Sequence, residues 1–270
     1  MNYRLEGKIA VITGAGGAIC GEIAKAFANE GISVAIWDIS LDAARKMCEE
    51  IRSSGGNAIA VECDACEKSS VATALEETLS KYGTIDILVN GAGGSRKETT
   101  TSDELTFFDI EPEDMKAILS LNYLSAIIPA QAVGRIFAEK KSGVILNISS
   151  IAGILPLTRA ISYSDGKAAV NSFTRWLAVH MAQDYSPNIR VNAIAPGFML
   201  TKQNRFLLID EKTGEMTERG KQILKSVPTA RYGKPQEIVG AALWLASDTA
   251  SFVTGAVIPL DGGYSAFSGV

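Results

Sequence analysis

The chain has 270 residues, 47% hydrophobic and 21% charged, which supplies a sizeable core and excludes a disordered segment. A formal charge of -4, with no basic patch interleaved with aromatics, argues against nucleic acid or anionic lipid as a partner. With His180 as its only histidine, Ser-His-Asp and Cys-His catalysis lack their base; with no signal peptide or membrane-spanning apolar run read from the sequence, a cytoplasmic protein is expected.

Strands and helices are predicted to alternate from the start. Lys8 to Thr13 reads as a strand covered on both faces, followed by a glycine-rich turn, Gly14 to Gly17. Ala18 to Glu30 reads as a helix with Ile19, Ile23, Ala26 and Phe27 on one face. Ser33 to Asp38 is the second predicted strand and Leu41 to Arg52 the next helix. Asn57 to Asp64, Glu67 to Tyr82 and Ile85 to Asn90 continue as strand, helix and strand. A polar stretch from Ser95 to Glu111 breaks the rhythm, and long connections of this kind are often functional. Pro112 opens a long helix towards Glu139, with Pro129 inside it as a candidate kink. Gly143 to Ser149 is the fifth strand, Ser162 to Gln183 a helix and Ile189 to Ala195 the sixth strand. An irregular region starts at Pro196 and runs to about Gly214. Helices are expected near Glu215 to Ser226 and Pro235 to Ser247, then a seventh strand from Ala256 to Asp261 and a tail from Gly262 to Val270.

This alternation predicts an α/β chain, a Rossmann-like doubly wound parallel sheet of seven strands with helices on both faces. With no linker, repeat or composition shift, residues 1–270 read as one dinucleotide-binding and catalytic domain. Ligands of such sheets sit at the carboxyl ends of the strands. There the chain places Thr13-Gly14, Asp38, Asp64, Asn90-Gly91, Ser149-Ser150 and Pro196-Gly197.

The first turn can cradle a pyrophosphate: glycines admit close backbone approach, and the helix N-terminus favours negative charge. Asp38 can accept hydrogen bonds from both ribose hydroxyls of an adenosine and would repel a 2'-phosphate, which predicts NAD over NADP. Its bland alternative is a turn-capping aspartate, and Asp64 admits the same reading. Tyr163 and Lys167 lie one helical turn apart, so an ammonium is expected beside a phenol, favouring its ionised form. Ser150, at a strand end, can hold the oxygen that exchanges that proton. Cys63 and Cys66 have the spacing of a redox or zinc half-site, but further ligands are lacking and the pair ends a strand. Cys20, Cys48, Cys63 and Cys66 therefore read as reduced cysteines, and no metal is expected. His180 reads as packing.

On Thr13 to Cys20, Asn90 to Gly93, Leu121-Asn122, Ser150, Tyr163 to Lys167, Pro196 to Thr201 and Asp261 to Gly263, the chain resembles the short-chain dehydrogenase/reductase family over nearly its whole length. The resemblance implies a catalytic tetrad of Asn122, Ser150, Tyr163 and Lys167. The tyrosine would exchange the proton, the serine hold the substrate oxygen, the lysine lower the tyrosine pKa and bind the nicotinamide ribose, and the asparagine steady a relaying water. It also implies cofactor contacts from Gly14, Gly16, Gly17, Ala18 and Ile19; Asp38 and Ile39; Cys63, Asp64 and Ala65; and Asn90, Gly91, Ala92 and Gly93. Tyr163, Lys167, Pro196, Gly197, Phe198, Met199 and Thr201 complete that set. The family is commonly tetrameric, pairing the long helices after the fourth and fifth strands. The usual motif has glycine where this chain has Ala18 and Cys20. Gly166 is also unusual and should weaken its helical turn by about 1 kcal/mol relative to alanine.

Within the family, residues 90–94, 195–205 and 261–270 resemble the D-mannonate oxidoreductase (fructuronate reductase) branch, which implies a sugar-acid substrate. Basic loop residues suit its carboxylate: Arg96, Lys97, Arg159, Lys202 and Arg205, with Gln203 and Asn204 as readers of hydroxyls. Each admits the alternative of a solvated surface charge or a loop-stabilising amide. The tail from Tyr264 to Phe267 suits a subunit contact or a fold back onto the sheet. Two other functions stay open: a non-catalytic NAD sensor, and a dehydrogenase of another polyol, sugar, steroid or acyl substrate.

Overall fold

Seven apolar runs, most of them buried on both faces, pair into one parallel sheet in the order β3-β2-β1-β4-β5-β6-β7. The computed structural model describes residues 3–201, 205–210 and 213–269. The strands are β1 (Ile9–Thr13), β2 (Ser33–Asp38), β3 (Ala58–Glu62), β4 (Ile87–Asn90), β5 (Gly143–Ile148), β6 (Ile189–Pro196) and β7 (Val257–Leu260). The longer helices are α1 (Ala18–Asn29), α2 (Leu41–Ser53), α3 (Lys68–Tyr82), α4 (Pro112–Lys140) and α5 (Ile161–His180). Shorter ones follow: α6 (Arg205–Leu208), α7 (Glu218–Lys225) and α8 (Val239–Ala246).

Strand side chains alternate between faces, so each strand feeds two cores. Ala10 and Ile12 of β1 join α1, α2 and α8 on one side. Val11 joins α3, α4 and α5 on the other. Local chemistry sets the helix ends. Ser40 accepts the N–H of Ala43 and caps α2, Gly83 ends α3 in the left-handed conformation, and Pro112 occupies the first turn of α4.

The chain winds outward from β1 to β3, then crosses back to β4. The carboxyl ends of β1 and β4 thus flank the reversal point, where open α/β sheets bind ligands. The register aligns Thr13 with Trp37 and Asn90, and Asn90 with Asn147.

Some elements differ from expectation. The helix predicted to reach Gln183 ends at His180 and widens into a π turn over Met181–Tyr185. The helix predicted from Glu215 begins at Glu218, because Met216 bridges Ile209 and Thr217 caps the N–H of Gly220. Pro235 starts a 3-10 turn ahead of α8, and α6 was not foreseen. By length and composition, α4 could cross a membrane, contrary to the sequence reading. Half of its apolar window is buried, and it packs on α3, α5, β4 and β5 as a core helix does.

Candidate active site

Two glycine loops meet above the reversal point. Thr13 Oγ1 accepts the N–H groups of Gly91 and Ala92 at 3.0 and 3.1 Å. Gly14 has φ 68, and a Cβ there would lie 3.0 Å from the Ala92 backbone, so this close approach needs glycine. Asp38 is gripped at both oxygens: Oδ2 accepts Gly16 N–H and Oδ1 accepts Ser40 N–H, each at 2.9 Å. A Cβ on Gly16 would fill the space beside Asp38, 2.9 Å from Oδ2. Helix α1 has neither a side-chain cap nor an acid in its first turn, and Gly17 and Ala18 at its tip are exposed, with Ile19 partly so. Ile39, next to Asp38, is 69% exposed. An uncapped helix N-terminus, a fixed carboxylate and an exposed apolar side chain together fit a dinucleotide.

Other positions expected around a cofactor are less open. Asp64 is half-buried and accepts Cys66 N–H at 2.9 Å, its turn-forming role. Its neighbours Cys63 and Ala65 are buried, and burial pushes the Cys63 thiol up to about 12. The side chain of Asn90 does not face the strand-end edge. It turns inward, Nδ2 donating to Asn147 Oδ1 at 2.9 Å and Ala126 O at 3.2 Å. This buried amide ties β4 to β5 and α4, so any ribose contact falls to the backbone. Pro196 is buried; Gly197 packs against Asp261, where a Cβ would lie 2.7 Å from the aspartate Cα. Phe198 meets Tyr264 edge to face, so the tail folds back here; Met199 is turned into the core, and Thr201 is half-buried.

The four residues of the expected tetrad converge. Ser150, just past β5, is close enough to Tyr163 to favour its ionised form, and its Oγ accepts Ala152 N–H at 3.1 Å. Lys167 is buried one turn along α5. Its Nζ lies 5.8 Å from the Tyr163 ring centroid and donates to Ile148 O at 2.9 Å. Asn122 of α4 holds the β4 loop: Nδ2 donates to Gly94 O and Ile118 O, and Oδ1 accepts Gly94 N–H. Gly93 lies between them, for a Cβ on it would be 2.7 Å from Asn122 Oδ1 and 3.4 Å from Lys167 Nζ. Gly166 lets α5 meet α4, since a Cβ there would lie 2.8 Å from that of Asn122.

Electrostatics correct one expectation. Burial holds the Tyr163 phenol above its ordinary value, and the opposing influence is the nearby Ser150 hydroxyl, not Lys167. The ammonium lies over the ring and bonds a carbonyl. Burial lowers Lys167 itself to about 8. The nearby Cys20 thiol, raised to about 12 by burial, is uncharged over that range and does not pair with it.

The basic candidates scatter. Arg96, Lys97 and Arg205 are exposed, while Lys202, Gln203 and Asn204 lie outside the described residues. Arg159 lines a cavity of about 210 Å³ with Thr101, Phe107, Leu157, Ser164 and Asp165. Sequence reasoning missed Thr101, Phe107, Ser164 and Asp165. The last two directly follow Tyr163 in the sequence. His180 stacks on Trp176 and meets Asp184 at 2.6 Å, a local packing role.

A family profile described as enoyl-(acyl carrier protein) reductase matches residues 14–265. The chain is 39% identical to UxuB of Bacillus subtilis (strain 168), described as an uncharacterized oxidoreductase, over 100% of this chain and 99% of that one. It is 37% identical to 7alpha-hydroxysteroid dehydrogenase of Escherichia coli (strain K12), over 97% and 96%. A crystal structure from Haemophilus influenza, provisionally described as a D-mannonate oxidoreductase with bound NAD, superposes with a TM-score of 0.94 at 39% identity, covering 100% and 99%. The chain belongs to the short-chain dehydrogenase/reductase family. As a short-chain dehydrogenase/reductase it is an oxidoreductase acting on alcohol groups. Its departures from the family's glycine-rich motif now have a physical account. Cys20 fills the space that Gly91 leaves open, where a Cβ would lie 2.0 Å from Sγ, and Ala18 is accepted because it is exposed.

Proposed function

We propose that this enzyme is NAD(H)-dependent and interconverts a secondary alcohol and a ketone on a sugar acid such as D-mannonate/D-fructuronate. The observation that carries the reading is the Ser150–Tyr163–Lys167 cluster beside the glycine cradle, with Ser150 and Lys167 buried and Tyr163 half-buried. The first turn of α1 would hold the pyrophosphate. Each Asp38 oxygen, already bonded to one backbone N–H, keeps an acceptor site for a ribose hydroxyl, and the carboxylate disfavours a 2'-phosphate. When bound, the nicotinamide supplies or takes the hydride at the reacting carbon.

The chain's own residues supply the proton chemistry. In reduction, Ser150 orients the carbonyl oxygen and Tyr163 gives it a proton, a task for which a neutral, partly exposed phenol suits. Lys167, at about 8, exchanges protons near working pH and can restore that of the phenol. Asn122 positions the Gly93–Gly94 loop beside Lys167, and its Oδ1 retains an acceptor site for a water.

The D-mannonate description of the Haemophilus structure and the guanidinium of Arg159 support the sugar-acid substrate. The Escherichia coli steroid dehydrogenase, with Phe107, Pro156, Leu157 and Ile161 in the same cavity lining, favours a hydroxysteroid as second reading. We retain the cytoplasm as its compartment, the four thiols being unpaired. We also retain a tetramer pairing through α4 and α5, supported by exposed Leu119, Trp176 and Val179.

Hydride exchange with NADH or NADPH over sugar acids, neutral polyols and a 7α-hydroxysteroid tests this reading. Expected are preference for NADH, turnover of the sugar acid, and about a 10²–10⁴-fold loss in Tyr163→Phe with NADH binding retained. Tight NADH binding without turnover across the panel would instead mark a sensor.

A further inference from the structure

We propose that Asn171 of α5 is a positioning residue that holds Ser150 in register with Tyr163 and Lys167, by clamping both flanks of the short segment that carries the serine. This rests on the catalytic reading of Ser150, Tyr163 and Lys167 and does not depend on which alcohol is oxidised. Tyr163, Lys167 and Asn171 succeed one another at four-residue intervals, so they share one stripe of α5. The first two are assigned the proton chemistry. The third is a buried amide, 3% exposed, that the reaction itself does not use.

The amide bridges two points on either side of Ser150. Ser149 Oγ donates to Asn171 Oδ1 at 2.5 Å, and Asn171 Nδ2 donates to Gly153 O at 2.9 Å. The orientation is forced, because Gly153 O can only accept: the NH2 group faces it and the amide oxygen faces the serine hydroxyl. Ser149 and Asn171 are both buried, where a polar group without a partner is costly. The two bonds therefore hold the strand end and the following loop to α5 rather than exchanging with solvent.

Neighbouring contacts leave the segment little room to slide. Lys167 Nζ donates to Ile148 O at 2.9 Å, just before Ser149. A Cβ on Gly153 would lie 2.6 Å from the carbonyl carbon and oxygen of Lys167 and 2.8 Å from Asn171 Nδ2, so the loop rests directly on the backbone of α5. Ser150 is thus anchored to α5 through Ile148, Ser149 and Gly153, and Asn171 makes the bonds at the last two. The Oγ of Ser150 itself accepts Ala152 N–H, a contact within its own turn that does not tie it to the helix. The separation between the strand-end hydroxyl and the helix phenol is set by those anchors. A displacement of about 1 Å in a reacting geometry can cost about 10²-fold in rate.

A double-mutant cycle with Ser150→Ala tests the role, followed with D-mannonate and NAD+ and with the small activated ketone 2,3-butanedione and NADH. Asn171→Ala removes both anchors. Ser149→Ala removes one with less disturbance of the core, and serves where Asn171→Ala folds poorly. With Ser150 present each should lower kcat, by about 10–10²-fold for Asn171→Ala, while Kd for NADH stays unchanged. With Ser150→Ala in place neither should lower kcat further, because no hydroxyl is left to position. A residue that only stabilises the fold would lower kcat equally in both backgrounds, so equal losses overturn the inference. Unchanged kcat in Asn171→Ala and Ser149→Ala, beside a loss in Ser150→Ala, overturns it and leaves the catalytic reading standing. Full activity of Ser150→Ala overturns both. The expected coupling with 2,3-butanedione, where D-mannonate is not turned over, supports the inference while the sugar-acid reading fails.

Discussion

Tyr163 and Lys167 are shifted in opposite directions by one cause. Burial disfavours the charged form of each, so the phenol moves up and the ammonium comes down to about 8. The lysine is therefore costly to bury. At pH 7 its charge must be carried in the interior; a fall from 10.5 to about 8 corresponds to a penalty of about 3 kcal/mol. Lys167→Met removes that penalty and forfeits the bond to Ile148 O, worth about 1 kcal/mol. The variant should lose activity yet be more stable at pH 7 by about 1–3 kcal/mol, measured by chemical denaturation. The sign with pH follows from linkage. Between about 8 and 10.5 the unfolded chain holds the proton that the folded chain has released, so wild-type stability rises with pH across that window. The variant's advantage should shrink there. An advantage constant from pH 7 to 10.5 would show that the folded lysine is not depressed.

At the scale of elements, the junction of β1, α1 and β4 is built around a complementary pair. Cys20 occupies a position where the family usually has glycine, and the room it needs comes from Gly91, far along the chain. A Cβ on Gly91 at 2.0 Å from Sγ cannot be absorbed without moving α1 or the β4 loop. Gly91→Ala alone should cost about 1–3 kcal/mol and weaken NADH binding, because the same helix end is the proposed pyrophosphate cradle. Adding Cys20→Gly should restore both, giving a large coupling in a double-mutant cycle followed by denaturation and NADH fluorescence. Additive effects would separate the two positions. Gly166 makes a similar point. By propensity alone it weakens its helical turn, yet it is the residue that lets α5 reach Asn122.

For the molecule as a whole, the sheet order brings the glycine loops, Asp38 and the Ser150–Tyr163–Lys167 cluster to one edge, while other surfaces carry exposed apolar groups. Trp176 is 60% and Val179 56% exposed on α5, and Leu119 is 39% exposed on α4. If these helices pair between copies, sedimentation should give a mass that is a multiple of 28.6 kDa. Trp176→Glu should lower that mass without changing the far-ultraviolet circular dichroism. A wild type that sediments as a monomer at micromolar concentration would remove the proposal.

The strand and helix succession and the parallel sheet could be read from residues 8–200 and 256–263, and the family resemblance implied the tetrad. Buried parallel strands are continuous apolar runs, and ligands of such sheets sit beyond their carboxyl ends. Those are properties of local pattern. The inward turn of Asn90, the fit of Cys20 to Gly91 and the position of Lys167 over the ring were decided only in three dimensions. Each depends on which side chains come together from distant parts of the chain and on how much water they lose there. The pKa directions show this most directly. A lysine one turn from a tyrosine predicts a lowered phenol when spacing alone is considered; burial, which spacing does not encode, sets the phenol higher.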